Sequence, residues 1–179
     1  MTRGRRAIGL VLIACGVLST AAVAAPAQTN LEYSVKANYL VRFAAFVVWP
    51  ARSFSDQEAP VVICVAGRDP FGTTLDQTAR GQTAHGRPLV VRRPASREAV
   101  TDCHILYIGR GGEALITSAA GQPGLLMVTD AATGPNRGTV HFELRQARVR
   151  FHIDRLMATR SGLAINSRLL NLALSVRAG

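Results

Sequence analysis

The sequence predicts an α/β fold. It is read as a single domain whose mixed, mostly parallel sheet carries an antiparallel hairpin at about residues 139–154 and is flanked by helices. Three observations lead there. Residues 61–66 are a short, continuous, β-branched apolar run, and 103–108 and 125–128 are further short, mainly apolar segments, the pattern of buried strands. Segments with helix signals separate them, as crossover connections between parallel strands require. Residues 139–154 then alternate strictly between apolar and polar, as half-buried antiparallel strands do.

Taken in order, residues 31–49 place apolar side chains at 35, 39, 40, 43, 46 and 47, which is helical spacing. Asn30 suits the N-cap, Pro50 forbids continuation, and Lys36, Asn38 and Arg42 form only a narrow polar stripe. The helix is therefore expected to be buried on most sides. Residues 61–66 form a strand ending at Gly67, and Asp69-Pro70-Phe71-Gly72 leads into a short helix over 71–79. Residues 89–91 are a second strand, 95–100 a short helix or turn, and 103–108 a third strand. Gly109-Arg110-Gly111-Gly112 precedes a helix near 112–120, and 125–128 is a fourth strand. In the hairpin, a turn at Gln146-Ala147 pairs Phe142 with Phe151, Leu144 with Val149, His141 with His152 and Glu143 with Arg150. A short strand at 162–165 follows. Asn166 or Ser167 then caps a last helix to about Val176, with Leu169, Leu170, Ala173 and Val176 inward.

The N-terminus reads as an export signal. Arg3, Arg5 and Arg6 precede an apolar run, and Ala22-Val23-Ala24 and Ala25-Pro26-Ala27 both fit a cleavage site. Residues 1–25 are thus expected to be a cleaved signal peptide and 31–177 the folded domain. An uncleaved anchor and lipidation at Cys15 are the competing readings. The small-residue end of the run favours cleavage over the first. The short apolar stretch before Cys15 and the apolar residues after it count against the second. The formal net charge is +10, which in a cytoplasmic protein would raise nucleic-acid binding. Export removes that prospect and points instead to an acidic protein, membrane surface or small anion. The surplus is local, because residues 145–177 hold seven Arg and one acid, Asp154. Beyond the signal, Cys64 and Cys103 remain, and an oxidising compartment suggests they pair, two buried thiols being the alternative.

Catalytic patterns are absent from the linear order. There is no G-x-S-x-G and no H-E-x-x-H, and the Gly109–Gly112 turn is neither a P-loop nor a full dinucleotide fingerprint. Gly109, Arg110, Gly111 and Gly112 are at most a weak anion-binding loop. His141, His152 and Asp154 could be thought a metal set, but Arg145, Arg148 and Arg150 would repel a cation. An exposed polar hairpin face is the simpler reading. No metal, cofactor or enzymatic activity is expected.

Several stretches, in order, resemble the YfiR family of periplasmic regulators. They are Lys36-Ala37-Asn38-Tyr39-Leu40 through Phe43, Phe46 and Trp49-Pro50; Ile63-Cys64-Val65 with Asp69-Pro70-Phe71-Gly72; Gly86-Arg87-Pro88-Leu89; Cys103-His104-Ile105-Leu106-Tyr107-Ile108; Val128-Thr129-Asp130; Val149-Arg150-Phe151-His152-Ile153; and Ser161-Gly162-Leu163 with Ile165-Asn166-Ser167-Arg168-Leu169-Leu170. The resemblance implies a periplasmic homodimer that represses a membrane diguanylate cyclase through the cyclase's periplasmic part, in a system where an outer-membrane lipoprotein sequesters the repressor. It also implies the disulfide Cys64–Cys103. Two partner-binding regions are expected: Phe43, Phe46 and Trp49 at the aromatic end of the first helix, and Arg150, Arg155, Arg160 and Arg168. The alternative reading is a periplasmic binder of a small anion or nucleotide-like ligand.

Overall fold

A computed structural model describes residues 26–95, 100–134 and 137–178. The expected signal peptide and most of the expected turn at 95–100 lie outside them. The first helix, α1 (Pro26–Phe46), begins earlier than the Asn30 cap predicts. Proline suits a first turn, and Asn30 sits inside the helix, where its carbonyl accepts a hydrogen bond from Ser34 Oγ at 2.8 Å. The helix also ends sooner. Val47–Val48 is extended (β1) and pairs antiparallel with Ala164–Ile165, the ninth strand of the chain (β9). The chain therefore turns away before Pro50 is reached.

Val61–Ala66 (β2) is buried at every residue, as its continuous apolar run requires. It is followed by α2 (Thr73–Ala79) and by a small antiparallel pair, β3 (Thr83–Ala84) with β4 (Arg87–Arg92). The sequence reading misses β3, which is too short for a periodicity. Next come β5 (Ile105–Ile108), α3 (Ala114–Ser118) and β6 (Leu126–Asp130). The hairpin is β7 (Val140–Arg145) and β8 (Arg148–Asp154), in the expected register, with Phe142 opposite Phe151 and His141 opposite His152. Gln146 and Ala147 both have positive φ, as a tight two-residue hairpin turn demands.

The C-terminus differs from expectation. After α4 (Arg155–Arg160) and β9, Asn166 Oδ1 caps α5 (Ser167–Leu172) by accepting from the Arg168 amide. That helix stops at Leu172 rather than Val176. Ser175–Arg177 is a strand, β10, lying parallel to β8. Leu169 is buried, but Val176 is exposed and so does not face a helical core. The residues in β10 read equally as strand, and the unsatisfied edge of β8 decides the outcome.

The main sheet runs β10-β8-β7-β6-β5-β2-β4-β3, parallel except at β7/β8 and β3/β4. This is the predicted mixed, mostly parallel α/β sheet. One core cluster joins α1 and α2 to one face; a second joins α3 to the other through Leu115, Ile116 and Ala119. Cys64 and Cys103 form a disulfide within the α3-side core, with Cα atoms 5.8 Å apart.

Candidate functional site

In an open sheet of this kind the ligand crevice falls where the strand order reverses, here between the C-terminal ends of β2 and β5. That crevice is closed by backbone. The Gly109 amide bonds to the Ala66 carbonyl and the Arg68 amide to the Arg110 carbonyl, each at 2.8 Å. A Cβ at Gly67 would sit 2.6 Å from the Gly109 carbonyl oxygen, so glycine is needed for the two loops to touch. The Gly111 amide, one of the expected anion donors, donates to Glu113 Oε1 at 2.9 Å. The Gly109–Gly112 turn packs against the end of β2, and Glu113, which follows it, takes up that amide.

Beside it, α1 is clamped to the sheet by buried polar groups. Lys36 is 3% exposed, and its Nζ lies 2.5 Å from Glu32 Oε1 and 2.8 Å from Asp130 Oδ2. Tyr107 donates to the same Asp130 oxygen at 2.5 Å, and Asp130 Oδ1 accepts from the Ala132 amide. Burial alone would depress the Lys36 pKa, but its bonds to Asp130 and Glu32 outweigh that and raise it. Burial, then the Asp130 charge, pushes Tyr107 far up, so it stays a donor. The sequence reading missed this cluster. Its trace was Lys36 in a narrow polar stripe and Asp130 closing an apolar strand.

The aromatic end of α1 is interior. Phe43 stacks on Phe142 at 5.8 Å and meets Phe151 edge-on at 5.5 Å. Trp49 is 7% exposed, and Phe46 is half-buried against the core. The expected docking role of Phe43 and Trp49 therefore loses its accessible surface: the hairpin aromatics cover Phe43, and Trp49 lies edge-on to His104.

The arginines fare differently. Arg150 on β8, Arg155 and Arg160 at the two ends of α4, and Arg168 on α5 are all exposed, and none makes an ion pair among the described residues. Arg150 does lie opposite Glu143, as the register predicts, but Glu143 bonds His152 Nε2 at 2.6 Å instead. Four guanidinium groups are left for an external acid.

The outer face of the hairpin is less open than expected. β10 extends the sheet beside it, and His141 is only 5% exposed. Ser175 Oγ, His152 and Glu143 follow one another at 2.6 Å each, in the order of a hydrolase triad. Serine meets Nδ1 and the acid meets Nε2, the reverse of the working triad, and Ser175 lies on a regular strand rather than a strained turn. The arrangement is a polar ladder joining β7, β8 and β10. Among the described residues, no group of three His, Cys, Asp or Glu is placed to hold a metal ion.

The sequence matches the YfiR/HmsC-like family (DUF4154) over residues 33–174, most of the chain, and the protein belongs to that family. It is a regulatory rather than a catalytic family, and its proteins are periplasmic. No curated protein matches the chain. No described helix is long and apolar enough to cross a membrane.

Proposed function

We propose that this protein is exported, loses residues 1–25 as a signal peptide, and acts in the periplasm through the domain at 31–177. There it represses an inner-membrane diguanylate cyclase by contact with the cyclase's periplasmic part, tuning cyclic-di-GMP signalling and biofilm formation. Membership of the YfiR/HmsC-like family carries this reading. The exposed, unpaired Arg150, Arg155, Arg160 and Arg168 support it as a surface suited to partner carboxylates. A homodimer, and an outer-membrane lipoprotein that sequesters the repressor, complete the proposed system. Deleting the gene in its own strain, with a membrane GGDEF cyclase of that strain expressed, tests it. Cyclic-di-GMP and biofilm rise if the reading holds; unchanged cyclic-di-GMP overturns it.

A further inference from the structure

We infer that the cavity between β8, β10 and the segment leading into β7 is a binding site for a small oxyanion, a phosphate or carboxylate group. The cavity is about 420 Å³, and Arg137, His141, His152, Ser175 and Arg177 line it together with Asp154. It is separate from the Gly109–Gly112 loop and from Arg150, Arg155, Arg160 and Arg168.

The donor set follows from hydrogen-bond counting. Thr129 Oγ1 accepts the Gly138 amide at 2.9 Å and lies 2.9 Å from His141 Nδ1. Among the described residues His141 Nδ1 is the acceptor within reach of this hydroxyl, so the hydroxyl proton goes to Nδ1 and the imidazole proton sits on Nε2. Among the described residues that Nε2–H has no partner, although the ring is almost wholly buried and borders the cavity. This donor opens onto a polar cavity without a protein partner and is available to an acceptor there.

The neighbouring charges favour an anionic one. Arg137 makes no ion pair among the described residues, and Arg177 reaches Asp154 Oδ2 only at 3.4 Å. Asp154 is engaged elsewhere, with Oδ1 capping α4 through the Met157 amide at 2.9 Å. Glu143 is held by His152. Two guanidinium groups and one imidazole N–H therefore border a site with one lining acid, Asp154, which is shared between the α4 cap and Arg177. That pattern suits an oxyanion and repels a cation. Because Ser175 and Arg177 belong to β10, an occupant would also fasten the last strand to β8.

Titration of the purified protein with inorganic phosphate and, separately, with citrate tests the inference. Calorimetry would report affinity, and NMR would follow the His141 side-chain N–H. Saturable binding of either anion with a shift of the His141 resonance supports the site; which anion binds tells phosphate from carboxylate. Arg137→Gln and Arg177→Gln, both at exposed positions, should keep the Tm of the anion-free protein and weaken binding by about tenfold or more each. The inference is overturned if neither anion binds saturably at millimolar concentration, if the responding resonances lie elsewhere, or if both variants bind as well as the parent.

Discussion

Lys36 Nζ lies 2.8 Å from Asp130 Oδ2 although the two residues are 94 positions apart, and both side chains are shut off from solvent. The pair fixes α1 against the C-terminal end of β6, so the one long helix and the sheet are joined by charge as well as by apolar packing. Removing one partner strands the other, which is far costlier than never having buried the pair.

Lys36→Met should therefore destabilise the protein by about 3 kcal/mol or more. Asp130 would keep only the Tyr107 hydroxyl and the Ala132 amide. Urea unfolding of the variant against the parent measures the loss. A change below about 1 kcal/mol, the range of exposed pairs, would contradict the clamp.

The disulfide joins the centre of β2 to Cys103, two positions before β5, across 39 positions. Closing a loop of that length restricts the unfolded chain, and reduction should cost about 3–4 kcal/mol. Paired unfolding curves with and without reductant, together with the double variant Cys64→Ala/Cys103→Ala, test this. Coincident curves would contradict it.

Acid should act through His141. Burial, then the nearby Arg137 charge, pushes its pKa down to about 4. An unfolded histidine titrates near roughly 6.5. Between those values the unfolded chain binds more protons, so stability is full above the upper value and falls as pH drops towards the lower one. The loss should be roughly 1–3 kcal/mol. His104, also lowered by burial, acts in the same direction. His141→Gln should flatten the fall in stability between about pH 7 and about pH 4.5. An unchanged pH dependence in that variant would contradict the assignment.

Arg155→Glu/Arg160→Glu reverses two exposed charges at the ends of α4. The double variant should keep the parent's unfolding free energy to within the usual spread for surface changes, about 0.5 kcal/mol. It should repress the cyclase less well, read as higher cellular cyclic-di-GMP at equal protein level. Full repression by the variant would remove this surface from the proposed contact.

Much of this architecture was legible in the residues. The hairpin register followed from strict alternation over 139–154, because a one-residue slip would turn Phe142 and Phe151 outward. The buried strands were visible as apolar runs. The C-terminus was not, since Ser175–Arg177 becomes a strand only because β8 offers an open edge. Asn30 looked like a cap because capping residues also occur within helices, and nothing local excluded an earlier start. Site features needed the third dimension. Phe43 and Trp49 read either as core or, if exposed, as anchors, and their burial decides for core. His141 read as exposed until β10 widened the sheet beside it. The exposed arginines, by contrast, were already visible as a local charge surplus in residues 145–177.

The most direct measurement of the central claim is cyclic-di-GMP synthesis by membranes carrying a GGDEF cyclase of the same strain, with the purified protein supplied on the periplasmic side. Repression by contact predicts that synthesis falls saturably as the protein is added, with Arg155→Glu/Arg160→Glu shifting the curve to higher concentration. Synthesis that is unaffected at every concentration of a folded protein would contradict it.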